Sequence, residues 1–306
     1  MALPASDLER TETMTSIWLD LMGAGVQERF YDAGGVRTRV LECGEGPVLL
    51  LLHGTGGHAE TYCRNLGPLS EHFRVVAPDL IGHGFTDRPD VDYTLDTFAG
   101  HIVDLLDALG ADTAILSGES LGAMVSAWVG ITHPERVERA VLNTGILARP
   151  DAPGQAQLDD LEQRTMAMAR DGVTLEGVRH RMNWLVSSPD RMTDEMIQVR
   201  HRVYTQDGML SSVATIMSSV IGMIRGTNDG TDYYAPGTMA RLEVPTLVLW
   251  TVDNPGQSTE LARETAKELP DGRFEVLEDC AHWPQFEQPD AFNAMHLEFL
   301  VAGKVA

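Results

Sequence analysis

The stretch Ala114-Ile115-Leu116-Ser117-Gly118-Glu119-Ser120-Leu121-Gly122 decides the fold predicted for this chain of 306 residues. A short apolar run leads directly into a Gly-x-Ser-x-Gly motif, and a helical pattern rich in small residues follows it. A serine between a buried strand and a helix lies on a tight, strained turn that flanking glycines permit. The N-terminus of the helix favours negative charge that develops there. Ser120 is therefore the predicted nucleophile.

Other short apolar runs alternate with helical patterns on both sides of this motif. Each run is continuous, as expected for strands that are buried on both faces of a sheet. The helical pattern Leu95–Leu109 carries one apolar stripe and ends at Gly110, a common helix stop. The alternation predicts an α/β fold with a mostly parallel, doubly wound sheet covered by helices. The further runs are 47–52, 73–77, 140–142, 246–250 and 274–277.

The segment 147–240 departs from this alternation. It opens with the turn-forming stretch 149–154, contains no convincing strand, and is rich in methionine at helical spacing. Methionine is flexible and packs against irregular apolar surfaces, in an ordinary core and in a substrate pocket alike. We therefore predict a helical cap (lid) domain at 147–240, over the strand ends of a core domain formed by 1–146 and 241–306.

The charge of the chain limits its partners. The formal net charge is −22, and the sequence pI is about 4.7. An acidic surface repels the phosphates of nucleic acids and anionic membranes, so neither is an expected partner. The expected partner is a small-molecule substrate, and an anionic substrate would require a local positive group.

The cysteines and the first residues suggest a compartment. Cys43, Cys63 and Cys280 are too few and too scattered for a disulfide framework. Residues 1–25 lack the basic and apolar regions of a signal peptide, so a cytoplasmic protein is the simplest expectation. The sequence shows no cluster of metal ligands and no complete dinucleotide-binding fingerprint, so we predict no metal and no cofactor.

A serine nucleophile needs hydrogen-bond donors for the oxyanion that forms when it attacks a carbonyl. One predicted donor is the backbone N–H of Leu121, the residue after the nucleophile. The other is expected from the loop after an earlier strand. The glycine-rich loop 53–57 directly follows such a strand, and its Thr55 N–H is the predicted second donor.

The predicted base is His282, which follows the last apolar run and precedes the final helical pattern. This agrees with the chain order of serine, acid and histidine on this architecture. The acid is expected just after the run 246–250, where Asp253 is the first carboxylate. Asp253 is therefore the predicted partner of His282. Asn254 is the alternative, and it could orient the imidazole but would stabilise its positive charge less.

These motifs resemble those of the α/β-hydrolase superfamily, from about residue 27 to residue 301. Within it, the chain is most similar to the meta-cleavage-product hydrolases, which cleave a carbon–carbon bond in vinylogous 1,5-diketones from aromatic ring degradation. The ending that begins at His282 is more specific to these hydrolases than the other pieces. The matching pieces are Leu52-His53-Gly54, Tyr62-Cys63-Arg64-Asn65, Asp79-Leu80-Ile81-Gly82-His83-Gly84, the motif at Ser120, and His282-Trp283-Pro284-Gln285-Phe286-Glu287.

The resemblance implies further site residues. It implies that Arg200, in the cap, contacts a carboxylate or oxo group of the substrate, and that Trp283 packs beside the catalytic histidine. Gly54 is placed among the substrate-binding residues, and a homodimer is one assembly that the resemblance implies. The resemblance also places the family's acid at position 254, which is an asparagine here. Either the turn is rearranged so that Asp253 reaches His282, or the triad is weakened.

The leading hypothesis is thus a serine-dependent hydrolase that cleaves a carbon–carbon bond in a meta-cleavage product. A carboxylesterase or lactonase with the same triad is the alternative, because acyl transfer requires the same oxyanion hole and base. A binding protein with poor catalytic activity on the same scaffold is a third reading, because a fold does not determine a function.

Overall fold

The apolar runs of the sequence form the inner strands of an eight-stranded sheet. The structure is a computed structural model that describes residues 16–145, 147–227 and 230–301. Residues 1–15, 146 and 302–306 of the predicted core domain and residues 228–229 of the predicted cap lie outside the described residues. The strands are β1 (Gln27–Ala33), β2 (Val36–Cys43), β3 (Val48–Leu52), β4 (Arg74–Pro78), β5 (Ala114–Glu119), β6 (Val137–Asn143), β7 (Thr246–Thr251) and β8 (Gly272–Leu277).

The strand order creates a crevice at one edge of the sheet. Strands β3 to β8 run parallel in the order β4-β3-β5-β6-β7-β8, so the direction of winding reverses between β3 and β5. Ligands of such sheets bind outside the carboxyl ends of the strands at this reversal. Leu52, the last residue of β3, pairs with Gly118 of β5. The glycine-rich loop and the serine motif therefore leave the sheet side by side.

A hairpin precedes the parallel strands and was not predicted. Strands β1 and β2 are antiparallel, and β2 joins the sheet beside β4. The chain turns at Gly34 and Gly35, both with positive φ, which a tight two-residue hairpin turn requires. β1 is mostly exposed and rich in charged residues, so it lacks the apolar run on which the prediction of strands was based.

Helices cover both faces of the sheet, as the continuous apolar strands predicted. Leu50 and Leu52 of β3 pack in one core cluster, and Leu49 and Leu51 pack in another, because successive side chains of a strand point to opposite faces. The helices are α1 (Ile17–Leu21), α2 (Cys63–Ser70), α3 (Leu95–Leu109), α4 (Leu121–Thr132), α5 (Ala152–Asp171), α6 (Leu175–Asn183), α7 (Asp194–Tyr204), α8 (Met209–Arg225), α9 (Thr259–Ala266), α10 (Pro284–Glu287) and α11 (Pro289–Val301).

Helices α5 to α8 lie between β6 and β7, in the segment predicted as the cap. Within the described parts of 147–240, no strand is present. Met182 and Met196 are buried in a cluster that also holds Trp283, which follows β8. Met217 of α8 lines the cavity in front of the serine motif. The methionine-rich faces are thus mainly core, and they contribute one side chain to the cavity.

Candidate active site

Ser120 occupies a strained turn between β5 and α4. Its backbone has φ 54° and ψ −115°, a region that residues other than glycine rarely adopt. A Cβ atom on Gly118 would overlap the backbone of Gly122, and one on Gly122 would overlap the carbonyl of Leu52. Glycine is therefore required on both sides of the turn. The turn places Ser120 at a cavity that is also lined by residues of the segment 147–240.

His282 also lines this cavity, in the loop after β8. Its Nδ1–H donates to Oδ1 of Asn254 at 2.6 Å, and the ring of Trp184 from the cap packs edge-on at 5.3 Å between ring centres. Burial, with the positive charge of Arg181 adding to it, lowers the pKa of His282 to about 3. The imidazole is therefore neutral near pH 7, as a base must be before it accepts a proton.

Asp253 does not contact His282, and the predicted pairing of the two is wrong. The Asp253 side chain is exposed, while its backbone N–H donates to the Cys280 carbonyl at 3.2 Å. The turn after β7 is attached to the loop before His282 by this bond and by Thr251 Oγ1, which donates to the Ala281 carbonyl at 2.6 Å. These bonds point residue 253 outward and residue 254 inward, so the alternative, Asn254, is the partner of the imidazole.

A carboxyl group is nevertheless present on the other side of the imidazole. Oε1 of Glu119, the residue before Ser120, lies 3.2 Å from Nε2 of His282, and Oε2 accepts from the Gly54 N–H at 2.7 Å. The side chain is 2% exposed. Burial raises the pKa of Glu119 to about 8, against the opposing effects of the Gly54 N–H, Arg200 and Arg181. Below that pH the carboxyl is protonated and can donate to Nε2.

Ser120 Oγ makes no hydrogen bond with any residue that the structure describes, although it shares the cavity with His282. Nε2 of the imidazole faces Glu119 instead. The structure therefore brings Ser120 and His282, the predicted nucleophile and base, to one cavity. The carboxyl of Glu119 lies at Nε2 of His282, the nitrogen that would accept the serine proton.

Two arginines supply the local positive charge that an anionic substrate requires. Arg200 of α7 is 1% exposed, and its Nη1 donates weakly to Tyr204 Oη at 3.4 Å. Its Nε and Nη2 have no partner among the described residues. Arg181 of α6 donates to the Thr55 carbonyl at 3.2 Å, and its buried Nε likewise lacks a partner there. Both line the cavity. Arg200 is therefore not a solvated surface arginine.

The comparison with known proteins agrees with this geometry. The model of the family described as "alpha/beta hydrolase fold" matches residues 47–289. The chain belongs to this family. The α/β hydrolase is also 29% identical over 279 residues to the 2-hydroxy-6-oxo-6-(2'-aminophenyl)hexa-2,4-dienoic acid hydrolase of Metapseudomonas resinovorans, with 89% of this chain and 90% of the relative covered.

Two further matches point to the same class of enzyme. A 2-hydroxy-6-oxononadienedioate/2-hydroxy-6-oxononatrienedioate hydrolase of Paraburkholderia phymatum is 28% identical, with 95% of this chain and 97% of the relative covered. The crystal structure of a meta-cleavage product hydrolase from Pseudomonas fluorescens superposes with a TM-score of 0.78 at 25% identity, with 90% of this chain and 98% of that chain covered. The predicted fold and the resemblance to meta-cleavage-product hydrolases are thus confirmed, and the chain is a hydrolase.

The remaining predicted residues lie around the same cavity. Gly54 and Thr55 line it, while Leu121 begins α4 directly after Ser120. The N–H of Gly54 is already occupied by Glu119. The N–H groups of Thr55 and Leu121 make no hydrogen bond to a residue that the structure describes, so both stay available as the predicted oxyanion donors. Their catalytic roles stay predictions.

Sequence reasoning missed three contributors to the cavity of this hydrolase, namely Trp184, Arg181 and Glu119. The predicted Trp283 packs against Arg200, with the guanidinium carbon 5.5 Å from its ring centre. The ring that packs edge-on against the imidazole of His282 is that of Trp184. Arg181 was not singled out because cap helices carry several arginines without a distinguishing pattern. Glu119 did carry a signal: a carboxylate in a motif predicted to be buried must be paired or perturbed.

Proposed function

We propose that this α/β hydrolase cleaves a carbon–carbon bond in an anionic vinylogous diketone, such as a meta-cleavage product of aromatic degradation, and that Ser120 and His282 catalyse the reaction. The observation that carries the proposal is the pair of cap arginines beside the serine and the histidine. Neither Arg181 nor Arg200 has a carboxylate partner among the described residues, so both can receive negative charge from a ligand.

The rest of the cavity complements the other end of such a molecule. In the same cavity, Met217, Val220 and Ile221 of α8 provide apolar lining. A 2-hydroxy-6-oxo-dienoate combines a carboxylate with an unsaturated hydrocarbon chain and a distal carbonyl. The arginines would bind the carboxylate, and α8 would pack against the hydrocarbon end. The relatives with 29% and 28% identity are named as hydrolases of compounds of this kind.

The chemistry begins with the dienol. Its enol proton moves to a carbon of the chain, and the ketone that forms can stabilise the carbanion that leaves when the carbon–carbon bond breaks. Ser120 Oγ then adds to the distal carbonyl carbon while its proton passes to His282 Nε2, and the N–H groups of Thr55 and Leu121 receive the oxyanion. The carbon–carbon bond breaks as the oxyanion collapses, and the leaving carbon takes the proton from His282. Water then releases the acyl group from Ser120 with His282 again as base.

The test is a substrate comparison between the wild-type protein and Ser120→Ala. A meta-cleavage product absorbs visible light as its dienolate, so cleavage appears as loss of colour, and the two products can be identified by mass spectrometry. We expect the wild type to form both products and Ser120→Ala to form neither at more than about a thousandth of the rate.

The same experiment includes short aryl esters, which report the alternative activity. Faster turnover of esters than of every diketone tested, with no carbon–carbon cleavage products, would replace the proposal by a carboxylesterase or lactonase. Arg170→Met, which changes an arginine on the exposed surface of α5, is the matched control for charge and should cleave the diketone at the wild-type rate.

A further inference from the structure

We infer that Glu119 supplies the carboxylate of this active site and stabilises the imidazolium of His282 from its Nε2 side, which replaces the acid that Asn254 cannot provide at Nδ1. The inference rests on the proposed function, because it requires His282 to accept the proton of Ser120. It gives Glu119 a role that the sequence motif alone does not assign.

The geometry places Glu119 where this role is possible. A Cβ atom built on Gly54 would lie 2.7 Å from Oε2 of Glu119 and 2.9 Å from Cβ of Ser120, so the carboxyl and the serine flank the same point. Oε1 lies 3.2 Å from His282 Nε2. The carboxyl is oriented by the Gly54 N–H at 2.7 Å and is excluded from solvent. The carboxyl therefore lies beside Nε2 in the cavity that Ser120 also lines.

The Nδ1 side of the imidazole lacks a charge partner. Asn254 Oδ1 accepts the Nδ1–H at 2.6 Å, which holds the ring in the tautomer that leaves Nε2 free. An amide oxygen carries no net charge, so it stabilises an imidazolium less than a carboxylate does. Asp253 is exposed and directed away. Among the described residues, Glu119 is the one carboxyl in contact with the imidazole of His282.

The charges that face Glu119 determine when it is ionised. His282 contacts it from the loop after β8, Arg181 and Arg200 act on it from α6 and α7, and the phenol of Tyr62 interacts with it from the segment before α2. Burial outweighs the two arginines, and it raises the pKa of Glu119 to about 8. Glu119 therefore changes from a carboxylic acid to a carboxylate within the pH range of ordinary assays.

The two forms differ in their effect on His282. A protonated Glu119 donates its O–H to Nε2 and occupies the lone pair that must accept the serine proton. An ionised Glu119 leaves that lone pair free. Once Oγ of Ser120 bonds to the carbonyl carbon and its proton moves to Nε2, the new N–H faces Oε1, and imidazolium and carboxylate form an ion pair. The proton later passes from Nε2 to the leaving group, and Glu119 remains ionised throughout.

The test measures the phosphorylation of Ser120 by diisopropyl fluorophosphate, a neutral probe that needs no knowledge of the natural substrate. Serine Oγ bonds to phosphorus and fluoride leaves, and mass spectrometry follows the labelled protein from pH 5 to pH 10. We expect the wild-type rate to rise with pH through an inflection near 8. Glu119→Gln keeps the shape of the side chain but should react about 100-fold more slowly at pH 9, without that inflection.

A rescue variant separates charge from structure. Asn254→Asp places a carboxylate at Nδ1, so the double variant Glu119→Gln/Asn254→Asp should regain at least about 10-fold in rate over Glu119→Gln. Glu275→Gln, the same change at a partly exposed site on β8, is the control and should keep the wild-type rate and inflection. A merely structural Glu119 would give a slow variant that Asn254→Asp does not restore.

Failure of this inference is distinguishable from failure of the proposed function. A wild-type rate without an inflection near pH 8, a Glu119→Gln rate equal to that of the wild type, or no rescue by Asn254→Asp would each overturn the inference. Labelling that depends on Glu119, together with no cleavage of any diketone, would overturn the substrate proposal and support the inference. Absence of Ser120 labelling at every pH would overturn both.

Discussion

Replacing Arg200 by methionine is expected to make the unliganded hydrolase more stable while it loses activity on an anionic substrate. The guanidinium is 1% exposed, and two of its three nitrogens have no partner among the described residues. The carboxyl that acts on it, Glu119, is protonated below pH 8. Below that pH, Arg200 is a buried charge without a counter-charge, a state that binding sites maintain at the expense of stability.

The magnitude follows from what the substitution removes. Replacing a buried charged group by an apolar one of similar volume stabilises a protein by about 1–4 kcal/mol. Against this stand the hydrogen bond to Tyr204 at 3.4 Å, worth about 1 kcal/mol, and the contact with the Trp283 ring at 5.5 Å, worth about 0.5–1 kcal/mol. Because the guanidinium lacks any counter-charge among the described residues, the gain from removing it is expected in the upper part of the first range, about 3–4 kcal/mol. The net gain is then about 1–2.5 kcal/mol, which corresponds to an increase in Tm of about 2–4 °C for a domain of this size.

The assay is thermal unfolding at pH 7 without ligand, followed by kcat/KM for the diketone. We expect Arg200→Met to have the higher Tm and a kcat/KM lowered about 10- to 100-fold, because a charge-assisted hydrogen bond to the substrate is lost. Arg170→Met, at the exposed surface, should change neither quantity. A Tm for Arg200→Met lower than that of the wild type by more than about 2 °C would refute the reasoning, because the guanidinium would then be stabilised by contacts within the protein.

Three further predictions concern the turn and the two carboxyl groups. Asp253→Asn should change kcat/KM less than about twofold, because the side chain is exposed, and a loss of about 100-fold would restore Asp253 as the partner of His282. Glu119 has a folded-state pKa raised from 4.5 to about 8, so its contribution to stability is full below pH 4.5 and is lost as the pH rises through 8. Denaturant unfolding should therefore show that the free energy of unfolding of the wild type falls between pH 4.5 and about pH 8, and that it falls less in Glu119→Gln. If the free energies of the two proteins changed in parallel with pH, the raised pKa of Glu119 would be contradicted. Gly122→Ala would push a methyl group into the Leu52 carbonyl, so we expect a loss of about 3 kcal/mol or more in the free energy of unfolding, and a Tm equal to that of the wild type would exclude this close approach.

The local features of the site were predictable because they depend on residues that are close in sequence. Strand β5, the turn at Ser120 and helix α4 follow one another directly, and α3 has the bounds that its apolar pattern and its stop residue indicate. The glycine-rich loop follows β3 without a break. In a parallel sheet, loops that follow neighbouring strands meet at one edge, so their proximity required no knowledge of the side-chain packing.

The partner of His282 could not be predicted in the same way. Asp253 and Asn254 are adjacent, and consecutive residues of a turn can point to opposite sides. Which of them faces inward depends on the bonds that tie the turn to Cys280 and Ala281, nearly 30 residues further along the chain. The preference for a carboxylate over an amide at this position was chemically sound, but it assumed that no other carboxyl was near the imidazole.

The amino-acid sequence by itself determined the α/β architecture and the edge of the sheet at which Ser120 and His282 lie, because strand and helix patterns and glycine-bounded turns are local properties. The tertiary structure alone decided that Asn254 contacts Nδ1, that Glu119 contacts Nε2 and that Arg181 and Arg200 line the same cavity. These contacts join segments separated by tens to more than a hundred residues. Their geometry, and the ionisation of the buried groups, depend on how the cap and the sheet exclude water from the cavity.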